Sequence, residues 1–259
     1  FRSYYTDPLF TRFEVSVSGT RGPVQYTIGL DNQGNRSGAG GPTHIYDGGG
    51  ALIERRNEEW RGNFEQPRLS GRFVYDGPGE AKGNLNLLYR WIDYDFLETG
   101  TRMASGIERE REVTVHEEGR NYEAAGDYEL ELGMGRLKLI GVARGSRFPF
   151  EVNVVSRMPD DTLESSERFT QAGDEHEWIA RTEYRWTRGK SEWQLSAEGA
   201  FNGLDNVSRL FQLSSDGQLR ETPLPGAVAR VEEDRYEIMG SYGRPLSANL
   251  TLKWTAGGE

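Results

Sequence analysis

The chain contains no cysteine among its 259 residues. Disulfides, thiolate metal sites and cysteine nucleophiles are therefore excluded. Hydrophobic residues make up only 35% of it, little for a protein built on one large core. No apolar run approaches the roughly 18 residues that a membrane-spanning helix needs, which rules out helical spans and leaves strands untouched. Basic residues are in the minority, 31 against 41 acidic, for a net charge of -10. That balance argues against a nucleic-acid partner. Histidines are few: His44, His116 and His176, with no pair at a metal-ligand spacing such as i, i+4. Neither a metal nor a cofactor is expected on that ground. There is no Gly-x-Ser-x-Gly elbow. The glycine-rich stretch Asn35 to Pro42 lacks the lysine and the following helix of a phosphate cradle. Phe1-Arg2-Ser3-Tyr4 has neither the basic start nor the apolar stretch of a leader, and the chain does not begin with Met. It is expected to be processed or an internal piece.

What the sequence does contain is long alternation of apolar and polar residues. In Tyr122 to Leu132, Tyr122, Ala124, Gly126, Tyr128, Leu130 and Leu132 point one way, and Glu123, Ala125, Asp127, Glu129 and Glu131 the other. A period of two means strand. About five such hairpins are expected, turning at Gly19 to Pro23, Asp76 to Gly79, Gly133 to Arg136, Thr187 to Lys190 and Gly243 to Pro245. Between them run long polar connections, Asp31 to Arg68, Leu97 to Asn121, Gly145 to Glu175 and Asn202 to Glu233, with little periodicity.

A soluble sheet also alternates, so further features decide. The predicted strands are about 10 to 13 residues long, where soluble strands average nearer 5 or 6 and a tilted membrane strand needs about 9 to 11. Aromatics gather toward strand ends: Tyr89, Trp91, Tyr94, Phe96, Trp178, Trp186, Trp193, Phe201, Tyr242 and Trp254. Such rings favour the headgroup level. The opposite face carries charges of both signs, including Glu123, Asp127, Glu129, Arg181, Glu183, Arg185, Glu198, Arg235 and Glu237. The expected fold is all-β: an antiparallel up-and-down transmembrane β-barrel, or about ten strands of a larger one, with short periplasmic turns and long extracellular loops. No domain boundary is evident, so residues 1–259 are read as a single barrel segment.

Three stretches carry a family resemblance: Val24-Gln25-Tyr26-Thr27-Ile28-Gly29-Leu30-Asp31, Arg72-Phe73-Val74-Tyr75-Asp76-Gly77-Pro78, and Tyr242-Gly243-Arg244-Pro245-Leu246-Ser247-Ala248-Asn249-Leu250-Thr251-Leu252. In style and rhythm the chain resembles part of the barrel of a TonB-dependent outer-membrane receptor. The resemblance implies a bacterial outer-membrane location, contact with outer-membrane lipid, and active uptake of a small-molecule nutrient of the siderophore, cobalamin or oligosaccharide class. It also implies a plug domain of the same receptor and a TonB-type energy-coupling system as partners, and no catalysis. The plug and the coupling motif are absent from this chain. The family's barrel has about 22 strands, and the final stretch Trp254 to Glu259 runs into a polar stub rather than a terminal aromatic. The chain is thus expected to be roughly the first half of a barrel wall.

Two groups of side chains are candidates for chemistry. Arg55, Arg56 and Trp60, in the first long connection, are of the types that contact anionic or sugar-like ligands. Asp93, Asp95 and His116 form the other group. A self-contained ten-stranded outer-membrane hydrolase would use carboxylates to position water and a histidine as base; the plainer reading makes Asp93 and Asp95 polar positions at a strand end. A porin-like channel is the remaining alternative.

Overall fold

The computed structural model describes residues 12–259. Phe1 to Tyr4, discussed above for leader character, lie outside these residues. Among the described residues there is no helix, and one antiparallel sheet of 13 strands holds the whole chain. The strands are β1 (Arg12–Arg21), β2 (Val24–Gln33), β3 (Asn35–Tyr46), β4 (Leu52–Glu65), β5 (Pro67–Asp76), β6 (Lys82–Ala104), β7 (Ile107–Leu132), β8 (Gly135–Arg157), β9 (Leu163–Arg188), β10 (Ser191–Leu213), β11 (Leu219–Thr222), β12 (Val228–Ser247) and β13 (Leu250–Gly258). Ten of them form an up-and-down wall in the order β1-β2-β5-β6-β7-β8-β9-β10-β12-β13. The β3–β4 hairpin is inserted between β2 and β5, and β4 pairs with the far half of β6. β1 and β13 are edges, and the sheet is open.

Tight turns gather at one end of the wall, called the lower end here. Gly22-Pro23, Gly133-Met134 and Gly189-Lys190 each join paired strands, and their glycines have φ of 59°, 60° and 64°. A left-handed first position followed by a residue with negative φ is what a type II′ hairpin turn requires, and only glycine takes it without steric cost.

The four long connections are not irregular, as expected from the sequence, but largely strand. β6 and β7 continue through Leu97 to Asn121 and turn at Ser105-Gly106, both with positive φ. β8 and β9 run through most of Gly145 to Glu175, and β10 and β12 through most of Asn202 to Glu233. Asp31 to Arg68 holds β3 and β4. The reason is that these upper strands have polar side chains on one face and mixed ones on the other, so hydrophobic period-2 fades while the backbone ladder persists. His44 and His116 accordingly lie on strands rather than in loops, and His176 lies mid-strand. The fifth turn also moves. Gly243-Arg244-Pro245 lies inside β12, beside a bulge between Pro245 and Ser247, and the chain reverses at Ala248-Asn249. A bulge near a strand end is one place where a sheet tolerates proline.

The pairing register fixes two faces. In the lower half the outer face carries Val15, Val17, Ile28, Leu30, Leu69, Leu85, Leu87, Leu139, Leu195 and Ile238, all exposed. The inner face carries Glu183, Arg181, Arg185, Glu198 and Arg235. Glu183 is only 6% exposed and pairs with Arg181 at 2.8 Å and Arg185 at 2.6 Å. Glu198 reaches Arg181 at 3.4 Å and Arg235 at 3.1 Å. Ala81 and Ala200 are the only buried hydrophobic residues among those described. Among the described residues the sheet therefore has no apolar core of its own, and its apolar face is uncovered.

Close backbone approach constrains one rung of this ladder. Gly126 and Gly141 are cross-strand partners. A Cβ on Gly126 would lie 2.7 Å from the Asn84 backbone oxygen, whereas one on Gly141 meets nothing within 4 Å. Gly126→Ala is expected to destabilise the folded sheet by about 1–2 kcal/mol. Gly141→Ala should change stability by less than ~0.5 kcal/mol or raise it slightly, because alanine orders a strand at lower entropic cost. Urea midpoints of the two variants in detergent check this, and equal midpoints would contradict the stated packing.

Candidate functional site

Two rows of aromatic rings bound the apolar belt of the outer face. The lower row runs Tyr184, Trp186, Trp193, Tyr242, with successive ring centroids 5.4, 6.1 and 4.5 Å apart. Trp254 pairs opposite Tyr242, and Tyr75 and Tyr128 contact at 6.1 Å farther along. The upper row holds Tyr89 and Trp91 at 4.4 Å, Tyr122 opposite Tyr89, Trp178 opposite Phe201, and Tyr236 against Phe201 at 5.7 Å. The rows are six to eight residues apart along each strand, as from Trp193 to Phe201. At about 3.3 Å per residue and a tilt near 40°, the two rows are ~15–20 Å apart in height.

Above the upper row the two faces exchange character. The outer face becomes polar: Asp93, Asp95, His116, Glu118, Arg120, Arg147, Asp174, Asp205 and Asp234 take the positions that continue the apolar columns. The inner face gains Phe64, Trp60, Phe96, Val113, Val115, Phe150, Val152 and Phe169. Trp60 stacks on Phe96 at 5.9 Å, Phe64 meets Tyr94 edge-on at 6.2 Å, and Phe150 meets Phe169 at 6.3 Å. Tyr94 and Phe96, grouped by sequence with the girdle, thus point away from it. Odd and even positions of β6 had already separated them from Tyr89 and Trp91.

Charged residues frame this inner aromatic wall. Arg102 bridges Glu58 at 2.6 Å and Glu98 at 3.7 Å, Arg111 binds Glu98 at 2.8 Å, and Arg56 is held by Glu54 at 2.9 Å. All lie on the same face as Trp60. Of the three residues singled out in β4, Arg56 and Trp60 share this wall, and Arg55 projects from the other face. Arg56 is engaged by Glu54, so its guanidinium is already partly neutralised. Lower on the inner face a groove of about 630 Å³ is lined by Arg90, Asn121, Arg144, Glu175, Asn202 and Glu233. In it Arg90 Nε and the side-chain oxygens of Asn121 and Asn202 are buried without a hydrogen-bond partner. Such groups are costly unless something polar fills the groove.

The structure also assembles the second group. Asp95 and His116 are cross-strand partners just above the belt, with His116 Nδ1 2.8 Å from Asp95 Oδ1. The hydrogen bond to Asp95 holds the His116 imidazolium above the ordinary histidine range, partial desolvation opposes it, and the Asp93 and Glu118 charges add to the rise. Partial burial is the main reason that the Asp93 carboxyl is raised, with Asp95 reinforcing it. The group faces outward from the wall, away from the inner groove.

No family model matches the sequence, and no curated protein matches it. Among solved structures the chain is similar to the ferric yersiniabactin uptake receptor FyuA from Yersinia pestis, at 12% identity and a TM-score of 0.34. The match covers 94% of this chain and 44% of that receptor, so the chain spans less than half of its length.

A histidine whose pKa is raised on folding contributes stability that is complete below its unfolded value near 6.5 and is lost as pH climbs through the folded value. Asp95→Asn should bring the His116 titration, followed by NMR with EDTA present, back toward the ordinary range. The pair is well exposed, so its stabilising contribution should be only about 0.2–1 kcal/mol below pH 6 and absent in alkali. An unchanged His116 titration in the variant would contradict the pairing.

Proposed function

We propose that this chain is wall from a bacterial outer-membrane barrel of the TonB-dependent receptor type, taking part in uptake of a small-molecule nutrient. The observation that carries the proposal is the belt: an exposed apolar band on one face, bounded above and below by aromatic rows, backed by a face of paired charges. Lipid is the cover that suits such a face. Its height is of the order of the apolar band of outer-membrane barrels, and rings at both margins suit the two headgroup levels. A soluble sheet would instead bury this face against a second layer of its own.

The exchange of faces above the upper row supports the uptake reading. Strand that leaves the membrane no longer needs an apolar outer surface, and an aromatic inner wall then becomes available to a ligand. Trp60, Phe96 and the neighbouring Arg56 are the proposed ligand contacts, and Arg55 would reach a ligand only from the other face. Arg90 Nε and the Asn121 and Asn202 side-chain oxygens, which lack a partner in the inner groove, suit a polar filler, the role that a plug has in this type of receptor. The short-turn end would face the periplasm and the long strand extensions the exterior. Further strands would complete the barrel, since edges such as β1 and β13 are not tolerated in lipid.

The experiment is depth-resolved insertion. Reconstituted into vesicles, the chain should show tryptophan quenching by lipids brominated along the acyl chain. Ala197→Arg, midway between Trp193 and Phe201 on the outer face, should lower folding into vesicles by ~2–4 kcal/mol. Thr99→Arg, on the same face above the belt, should leave it within about 0.5 kcal/mol. Equal effects, or no quenching, would sink the membrane reading. For the ligand, titration with ferric siderophores, cobalamin and oligosaccharides should find one class whose affinity falls at least tenfold in Trp60→Ala and is unchanged in Arg55→Ala. A loss confined to Arg55→Ala would move the site to the other face.

A further inference from the structure

We propose that Asp93, Asp95 and His116 form a binding site for a divalent transition-metal ion, with Glu118 as the fourth side chain. This site is separate from the inner wall and does not depend on the uptake reading. On β6, Asp93 and Asp95 are two residues apart and so share the outer face; on β7, His116 lies opposite Asp95 and Glu118 opposite Asp93. Four ligand-type side chains thus occupy the corners of one square of the sheet. Ligand atoms of Asp93, Asp95 and His116 already lie within 4.8 Å of one another. An ion at 2.0–2.2 Å from each would draw them together by roughly an ångström of rotamer adjustment.

A plain surface ion pair accounts for less of this arrangement. Asp95 and His116 bond to each other, but among the described residues Asp93 and Glu118 make no ion pair within 4.0 Å. Arg120 is the next outward residue of β7 after Glu118, yet it makes no ion pair with either carboxylate. Across the ladder Asp93 faces Glu65, which Arg36 engages at 3.1 Å, and His116 faces Glu151. An independent feature is the groove of about 710 Å³ that opens beside it on the same face, lined by Asp95, His116, Arg61, Asn63, Thr99 and Thr114. A metal held at the square would have open coordination positions toward that groove, and Arg61 would favour an anionic co-ligand there.

The donor set selects the class of ion. Carboxylate oxygens alone would suit Ca²⁺ or Mg²⁺, whereas the imidazole nitrogen favours Zn²⁺, Co²⁺ or Ni²⁺.

The test is a Co²⁺ titration of the purified chain in detergent, read by the visible ligand-field bands and repeated with Zn²⁺ by calorimetry. One saturable ion per chain is expected. Affinity should fall at least tenfold in both His116→Ala and Asp95→Asn, and less in Glu118→Gln. His44→Ala and His176→Ala should bind like the parent. His116→Gln replaces His116→Ala if the latter loses its β-sheet circular dichroism. Absence of saturable binding overturns the proposal. So does binding that survives loss of both His116 and Asp95, or that disappears with His44 or His176. Occupancy by Ca²⁺ or Mg²⁺ in preference to Co²⁺ and Zn²⁺ also overturns it, because imidazole would then contribute nothing.

Discussion

Parity along the strand is the constraint on which everything else in this molecule rests. Successive residues of a strand face opposite ways, and antiparallel register carries that choice to every neighbour. Trp193 lies opposite both Trp186 and Tyr242, and Leu195 opposite Tyr184 and Gly240, so the outer column continues across three strands without interruption. A slip of one residue between β9 and β10 would place Glu183 and Arg181 on the apolar face and send Tyr184 and Trp186 inward. Tight glycine turns hold that register from the lower end. At Gly133 and Gly189 a left-handed residue fixes a two-residue reversal, which leaves no slack for a shifted pairing.

Placing charge on the inner face has an energetic condition of its own. Glu183 is almost fully covered, and an isolated carboxylate there would be strongly unfavourable. Arg181 and Arg185 lie two residues away on either side along the same strand and face, and Arg181 is shared with Glu198, which Arg235 reaches from the next strand. No carboxylate in this network is left with a single partner, so removing one member leaves the others still compensated. The same logic repeats above the belt, where Arg102 and Arg111 share Glu98. The chain's composition, low in hydrophobics and rich in both signs of charge, follows from a wall whose two faces need different chemistries at each height.

The lower half of the wall was largely legible in the sequence and the upper half was not. From Tyr122 to Leu132 apolar and charged residues alternate cleanly, because the outer face there is apolar and the inner one charged. From Leu97 to Asn121 the same strands continue, but with Glu98, Arg102, Arg109 and Arg111 on one face and Asp95, Thr99, Thr101 and Glu110 on the other. Hydrophobic periodicity reports a difference between faces, and here both carry charge, with Val113 and Val115 interleaved among the charges of the inner one. Cross-strand charge matching was the surviving signal, as in Arg111 with Glu98 and Arg102 with Glu58, and it becomes readable only once the pairing is known. Arg55, Arg56 and Trp60 were chosen by residue type. Their numbers alone place Arg56 and Trp60 on one face and Arg55 on the other, once that stretch is recognised as strand. Asp95 and His116 are 21 residues apart, and no local spacing announces a contact made across a hairpin.

The two edges carry the same parity outward and restrict what can complete the wall. β1 offers Val15 and Val17 on the outer face at 62% and 61% exposure, and β13 offers Leu252 and Trp254 at 48% and 60%. Each edge also presents a row of backbone donors and acceptors with no strand beside it among the described residues. In water such groups are hydrated, but in an apolar medium each costs several kcal/mol, so the belt and the open edges are compatible only if further strands pair there. Those strands are constrained in turn. A neighbour of β13 must set apolar residues opposite Leu252 and Trp254 and polar ones opposite Lys253 and Thr255, and a neighbour of β1 must do likewise at Val15 and Val17 against Ser16 and Ser18. Because the ten-strand wall alternates direction at every step, β1 and β13 run antiparallel to one another. Any completing set must therefore contain an even number of up-and-down strands, or none, whatever the final circumference.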